Sequence, residues 1–475
     1  YTMPTSGEIM QLTGSNQFTV RPFGFYIDPT GNPAAANASG TVFRKAGEAF
    51  TTVVTAKQWT SAADANNDGI PDSNAAISGN TTTLSFGRET VAEAVTLSRT
   101  LTQPAGGATG TLGGTPLVSS FTNGVGSTSV NFSEVGIITL TGTLNSGNYL
   151  SGGQTVTTTT ANVGRFSPDR FTLTSSSVTP TCVAGGFSYM GQANLGYAYT
   201  VEARNASDVR TANYNHASFL APSITVSTLA ENNNSGTDLS SRVTAASGSW
   251  TTGTYTASTS TATFSRPASA DGEFDNLRLG ITMTDGDGTV LANRDMNPAS
   301  SASEALVCAT CTGIKLGTAV TRARYGRVSM GNAYGSELFP LRMPTTIQYF
   351  RSGSGWVTNT LDTCSTITTG NIALAFAGSK VGRNQLIASD NKAFACTSGA
   401  YISGGNVDIN AVRISGTNTC TNVGPGKGYY GNVDVTLTVP SYLQFDWKGT
   451  GVTNPTGRAT FGTYKSKVIY TRENY

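Results

Sequence analysis

Between Asp64 and Asp72 the chain reads Asp64-Ala65-Asn66-Asn67-Asp68-Gly69-Ile70-Pro71-Asp72, and its oxygens carry the spacing of a calcium loop. Asp64, Asn66, Asp68 and Asp72 supply side-chain oxygens, Ile70 a backbone carbonyl, and Gly69 the tight turn that hard-oxygen coordination of Ca²⁺ needs. The bidentate glutamate of an EF-hand is missing, because Ala75 stands in its place. The loop is therefore closer to the calcium repeats of extracellular proteins and needs a distant carboxylate to complete it. The plain alternative is an Asn/Asp/Gly-rich turn between two strands. A second acidic stretch, Asp285-Gly286-Asp287-Gly288, reads more simply as an Asp-Gly hairpin turn.

Six cysteines follow: Cys182, Cys308, Cys311, Cys364, Cys396 and Cys420. An even count in a chain of this composition favours three disulfides and leaves their connectivity open. We expect Cys364, Cys396 and Cys420 to find partners within the last module or at its boundary. Cys308 and Cys311 form a C-x-x-C pair, but a tetrahedral zinc site has little to draw on with a single histidine, His216. A redox role would call for a thioredoxin-like setting with helical pattern around the pair, which is absent.

Catalysis is hard to assemble. A Ser/His/Asp triad would have to use His216, which lies in the polar stretch Asn213-Tyr214-Asn215-His216. No Gly-x-Ser-x-Gly elbow or phosphate-binding loop is present, and no carboxylate pair stands out for glycoside hydrolysis. We read the chain as non-enzymatic. Trp59, Trp250, Trp356 and Trp447 read as core or corner residues, with sugar stacking as the sharper alternative. Arg322, Arg324 and Arg327 read as partners of nearby carboxylates.

The elements that must position these residues are strands. Apolar residues alternate with polar ones at period two, in runs separated by Gly-, Ser- and Thr-rich turns, which indicates β-sandwiches. Strands are expected at 50–56, around Thr82-Leu84-Phe86, at 92–97 and at 135–144. Arg88 to Arg99 also carries a hint of helical spacing. Phe43-Arg44-Lys45-Ala46-Gly47-Glu48-Ala49 recurs 144 residues later as Phe187-Ser188-Tyr189-Met190-Gly191-Gln192-Ala193. A fainter echo is Val328-Ser329-Met330-Gly331-Asn332-Ala333. A spacing of this size is that of a domain. We therefore expect an all-β fold of about three tandem Ig-like β-sandwich modules, at 1–164, 165–312 and 313–475, forming an elongated rod. Phe43 and Phe187 should plug equivalent cores.

Charged residues make up only 12% of the 475, and the net charge is +2. A Ser/Thr/Asn/Gly surface of this kind suits a secreted, surface-exposed β-protein. Nucleic-acid binding would want a clustered basic excess, and none is visible. No apolar window is long enough for a membrane span. The start at Tyr1 leads us to expect a processed or excised product, compatible with a removed export signal.

Several motifs resemble a known family. They are Arg324-Tyr325-Gly326-Arg327, Asn332-Ala333-Tyr334-Gly335-Ser336-Glu337-Leu338, Asp362-Thr363-Cys364-Ser365, Leu443-Gln444-Phe445-Asp446-Trp447 and Pro455-Thr456-Gly457-Arg458-Ala459-Thr460-Phe461. Upstream, Arg21-Pro22-Phe23, the Phe43 to Ala49 motif, Ser133-Glu134-Val135-Gly136 and Arg165-Phe166-Ser167-Pro168-Asp169 belong to the same set. Together they resemble the C-terminal region of MshQ-like proteins, found with the mannose-sensitive haemagglutinin class of type IV pili. The resemblance implies an exported surface protein connected with pili and supplies no catalytic or ligand residues.

Two classes of function follow. The first is a structural or interaction protein whose partners are pilus or filament subunits, stiffened by disulfides and calcium. The second is an adhesin that binds a glycan or host surface through its end loops. A weaker third is a filament subunit that polymerises with copies of itself by strand addition.

Overall fold

The computed structural model describes residues 19–216, 219, 223–232, 237–296, 312–318, 321–365, 369–376, 394–396, 402–403, 406–407, 413–415 and 430–462. The first sandwich holds β1 (Gly24–Pro29), β2 (Arg44–Lys45), β3 (Ala49–Lys57), β4 (Val95–Gln103) and β5 (Leu112–Gly114). It continues with β6 (Leu117–Val118), β7 (Val125–Phe132), β8 (Gly136–Leu144), β9 (Thr157–Thr159) and β10 (Val163–Ser167). One sheet runs β1-β3-β7-β5, the other β2-β10-β8-β4-β6 with β9 on β8. Alternation decides the faces: on β3, Phe50, Thr52, Val54 and Ala56 point inward.

The second sandwich repeats this wiring. Its strands are β11 (Arg170–Thr179), β12 (Ser188–Tyr189), β13 (Leu195–Arg204), β14 (Ile224–Asn232) and β15 (Thr237–Asp238). Then come β16 (Ser247–Thr251), β17 (Thr254–Ala262), β18 (Phe274–Asp285), β19 (Ile314–Lys315) and β20 (Thr321–Arg324). The sheets run β11-β13-β17-β16 and β12-β20-β18-β14-β15, with β19 on β18. In both sandwiches the short second strand pairs in parallel with the last one, β2 with β10 and β12 with β20. That correspondence makes the two modules copies of one plan.

The third sandwich keeps the plan and adds to it. It contains β21 (Gly326–Met330), β22 (Ala333–Gly335), β23 (Leu341–Arg342), β24 (Thr345–Arg351), β25 (Gly355–Thr358) and β26 (Ile372–Phe376). The rest are β27 (Phe394–Cys396), β28 (Ile402–Ser403), β29 (Asn406–Val407), β30 (Arg413–Ser415), β31 (Gly431–Leu437) and β32 (Thr456–Phe461). Its sheets run β21-β24-β29-β28 and β22-β32-β31-β26, with β22 parallel to β32. A small third sheet, β23-β30-β27, is extra. The fold is all-β, in tandem Ig-like sandwiches.

Four sequence expectations shift. The breaks expected at 164/165 and 312/313 fall inside β10 and ahead of β19; β19 and β20 complete the second sandwich, so the chain crosses over at 168–169 and at Tyr325. Thr82 to Phe86 is a turn after a single bridge to Lys57, with Phe86 buried. Arg88 to Arg99 is loop and then strand β4, because period-two burial of Val95 and Leu97 wins over the helical hint. Gly331 precedes the short parallel strand of its module, whereas Gly47 and Gly191 follow theirs, so the third echo is out of register.

Candidate functional site

Where the sandwiches meet, polar side chains are buried and paired, and two such joints concentrate the unusual chemistry of the chain. At the first, Arg165 leaves β10 and enters the second sandwich. Its Nη1 and Nη2 donate to Asp287 Oδ2 and Oδ1 at 2.7 and 2.6 Å, and its Nε donates to the Gly40 carbonyl at 2.8 Å. Both side chains of this fork are buried, so the pair is bidentate and screened from water. Asp287 lies in the acidic turn after β18, where Asp285 accepts the backbone N–H groups of Asp287 and Thr289 and the Tyr214 hydroxyl. The Asp-Gly hairpin is thus a receptor for an arginine. Burial pushes the Asp285 carboxyl up from its ordinary value, against the pull of the Thr289 N–H.

Glu134, two residues ahead of β8, makes the complementary contact. It is buried and accepts the N–H groups of Ala212 (3.0 Å) and Asn213 (3.2 Å) from the second sandwich, as well as that of Val135 (2.9 Å). Burial raises its carboxyl above the usual range, while these three N–H donors pull it down. Asn213 answers with its side chain: Nδ2 donates to the Ala108 and Val135 carbonyls and Oδ1 accepts the Ala108 N–H. The Ala206 N–H reaches the Ala46 carbonyl at 2.9 Å. Gly47 has φ of 83°, and a Cβ there would lie 3.1 Å from the Ala206 nitrogen. The repeated glycine therefore makes a turn and lets the next sandwich approach.

The second joint carries a covalent bond. Cys182 of the second sandwich is disulfide-bonded to Cys364 of the third, across 182 residues of sequence. Asp362 sets Cys364 in place by accepting the N–H groups of Cys364 (3.0 Å) and Ser365 (2.9 Å). The Tyr189 hydroxyl donates to Asp362 (2.8 Å) and accepts from Asn359 Nδ2 (2.6 Å), and Arg324 Nη1 donates to Asn359 Oδ1 (2.5 Å). Burial, then the Asp362 charge, drives the Tyr189 hydroxyl far above its ordinary pKa, so it stays a donor. Arg266 donates to the carbonyls of Ser441, Tyr442 and Gln444 while its guanidinium lies 4.0 Å from the Tyr325 ring.

Apolar packing crosses both joints. Val135 and Ile137 join the core of the second sandwich. Phe187 and Tyr189 pack with Val328, Ile347, Val433 and Phe461 in the core of the third. Phe43 instead sits among Phe50, Phe132 and Phe166 of its own sandwich. Phe43 and Phe187 thus hold equivalent positions and serve different cores, because the β12 edge faces the third sandwich.

The remaining sequence candidates fall elsewhere. In the Asp64 loop, Asp64 is buried and accepts the Trp59 indole N–H (2.8 Å) and the N–H groups of Asp68 and Gly69. Asp68 accepts the Ile70 N–H (2.8 Å) and the Asn66 amide (3.0 Å), and Asp72 the Ala65 N–H (2.9 Å). The loop closes on itself as a turn built from carboxylate-to-backbone hydrogen bonds. Among the described residues no three His, Cys, Asp or Glu side chains gather as a metal cluster. His216 lies in a turn at the end of the Asn213 loop. Cys308, Cys311 and Cys420 fall outside the described residues, and Cys396 lies on β27.

Trp59 is half-exposed rather than core, whereas Trp250 packs on Phe171, Tyr214 and Tyr255. Of the arginine cluster, Arg322 and Arg324 approach Asp275 as expected (3.6 and 3.5 Å). Arg327 instead lies over Trp356 (3.8 Å), Trp447 (4.7 Å) and Phe445 (5.0 Å), and burial lowers its pKa to about 10. On the outer face of β31 and β32 a cleft of about 470 Å³ is lined by Asn332, Asp434, Thr436, Lys448, Thr456 and Arg458.

Solved structures are similar to this chain at low identity. InvD of Yersinia pseudotuberculosis is 14% identical over 87% of this chain and 94% of its own, with a TM-score of 0.29. A four-domain ectodomain fragment of ICAM-5 is 11% identical over 93% of this chain and 76% of that one, with a TM-score of 0.28. Invasin, a bacterial integrin-binding protein, is 9% identical over 92% of this chain and 60% of that one, with a TM-score of 0.22. No curated protein matches. Three consecutive family models do match: the second domain of DUF6701 at residues 21–131, the third at 134–311 and the fourth at 324–474. The third begins at Glu134, so β8 to β10, which complete the first sandwich, fall within it. Matched in succession along nearly its whole length, the chain belongs to the DUF6701 family.

Proposed function

We propose that this protein is a non-enzymatic structural and interaction component of the bacterial cell surface, a stiff stalk connected with a pilus or other filament. The observation that supports the reading most is the pair of joints, in which buried ion-pair, hydrogen-bond and disulfide contacts fix each sandwich to the next. A stalk has to transmit position over distance, and joints that cannot swivel serve that purpose. A disulfide between sandwiches also suits an oxidising compartment outside the cytoplasm. In this reading Ca²⁺ in the Asp64 loop is a stiffening ion of the first sandwich, and equal melting with and without chelator would remove it. The test of the main reading is immunogold labelling of intact cells and of their sheared filaments. Label along surface filaments or stalks supports it, and label confined to the cytoplasm overturns it.

A second reading, an adhesin, draws on the cleft at Asp434 and Arg458. Arg458 Nε and Nη2 donate to the two Asp434 oxygens (2.5 and 2.9 Å), and both side chains are half-exposed, with Thr436, Thr456 and Asn332 beside them. Such a cleft presents donors and acceptors to sugar hydroxyls. A glycan array decides: a specific signal lost in Asp434→Ala favours the adhesin, and a blank array favours the stalk.

A further inference from the structure

One end of each sandwich is built from the loops after its third and eighth strands, or their equivalents. In the second sandwich these loops follow β13 and β18, and they hold Asn205, Ala212, Asn213 and Asp287, the residues that receive the first sandwich. In the third they follow β25 and β31, and they hold Asn359, Asp362, Cys364 and the Ser441 to Gln444 carbonyls that receive the second. The same end of the first sandwich is made of 58–72 after β3, 88–94 ahead of β4 and 145–156 after β8. Here the loops 88–94 and 145–151 enclose an open groove of about 830 Å³, lined by Glu89, Val91, Glu93, Asn145 and Leu150 among others.

The groove and its surroundings carry the marks of an uncovered joint. Val91 is 81% exposed, Val20 75%, Trp59 54%, Ile70 53% and Leu150 50%. Isolated surface apolar residues need no explanation, but a group of them gathered at one end marks an interaction surface. The acidic groups beneath are braced, since Glu89 accepts the Tyr149 hydroxyl (2.9 Å) and Glu93 the Leu150 N–H (3.3 Å). The end is therefore a formed surface with carboxylates in its floor, as the receiving end of the second sandwich also has.

The chain entering this end repeats the joint as well. An arginine just ahead of the first strand of each sandwich reaches into that sandwich's receiving loops. Arg165 meets Asp287, Arg324 meets Asn359, and Arg21 Nη2 donates to the Gly69 carbonyl at 2.8 Å. Arg165 and Arg324 lie on the last strand of the preceding sandwich, and the residues just before them, Gly164 and Ala323, are buried there. Val20, the equivalent neighbour of Arg21, is exposed.

We propose that the groove formed by 88–94 and 145–151 is the docking seat for the end of a further β-sandwich of the same build, carried N-terminal to these three in the same polypeptide. The occupant follows from covalent succession: both filled seats are occupied by whatever sandwich precedes them in the chain. The inference goes beyond the proposed function and stands without it.

Hydrogen exchange on two samples tests this: residues 19–475 alone, and the intact polypeptide isolated from its own cells. Exchange at 88–94 and 145–151 should be at least about ten-fold slower in the intact polypeptide. Leu150→Lys should abolish that protection there, and Val91→Lys should do the same. Both positions are exposed, so neither variant should change the melting of 19–475, which separates loss of docking from loss of fold. Equal exchange in the two samples overturns the proposal. So does a concentration-dependent dimer of 19–475 that Leu150→Lys dissolves, because the occupant is then a second copy.

Discussion

The guanidinium of Arg165 and the carboxylate of Asp287 are buried together, and each is tolerable in the interior only because the other is there. Arg165→Ala leaves Asp287 buried without its partner and should cost about 3–5 kcal/mol. The double variant Arg165→Met with Asp287→Leu should lie much closer to the native protein. Urea unfolding of all the variants checks this, and a double variant as costly as the sum of the singles contradicts the pairing. Glu134 offers a pH test at the same joint. Burial raises its pKa above the ordinary 4.5, so the folded protein binds more protons there than the unfolded chain. The Glu134 contribution is fully present below pH 4.5 and declines as pH rises through the raised value. Melting curves across that window should therefore fall more steeply with pH in the native protein than in Glu134→Gln. Parallel curves would show that Glu134 does not titrate differently on folding.

At the scale of elements, the short parallel strand and the glycine after it recur as a unit, β2 with Gly47 and β12 with Gly191, both glycines at φ near 80°. The alternation of strands such as β13 made the sandwiches legible in the sequence, since Leu195, Tyr197, Tyr199, Val201 and Ala203 can face only one way. The recurrence of Phe43 at Phe187 showed the duplication for the same reason. What sequence could not show is which core an aromatic enters: Phe187 looks like Phe43 and serves the third sandwich, because that depends on how two modules meet. Arg165, Glu134 and Asp362 stood in recognised motifs, yet their partners lie about 80 to 170 residues away, and spacing carries no sign of them. The disulfide follows the same logic. Cys182 lies beside β12 and Cys364 in the next sandwich, so their bond closes a long loop across a joint. Replacing both with serine should cost about 2–5 kcal/mol, seen as earlier thermal unfolding of the second and third sandwiches. The first sandwich should melt as before, and an unchanged profile would mean the disulfide adds nothing to the joint.

Across the whole molecule, the described cross-module bonds join the first sandwich to the second and the second to the third. Only one or two residues separate the last strand of one sandwich from the first of the next, so no linker absorbs bending. Joints between domains usually leave room for relative motion unless the interface is large and apolar. Here shared cores and buried polar pairs replace that freedom. On these grounds the three sandwiches should behave as one stiff body. Pulsed electron–electron double resonance between spin-labelled noncanonical residues at Val91 in the first sandwich and Lys448 in the third tests this most directly. One narrow distance distribution is expected, broadening in Arg165→Ala or when Cys182 and Cys364 are replaced; a broad distribution in the native protein would contradict a stiff body.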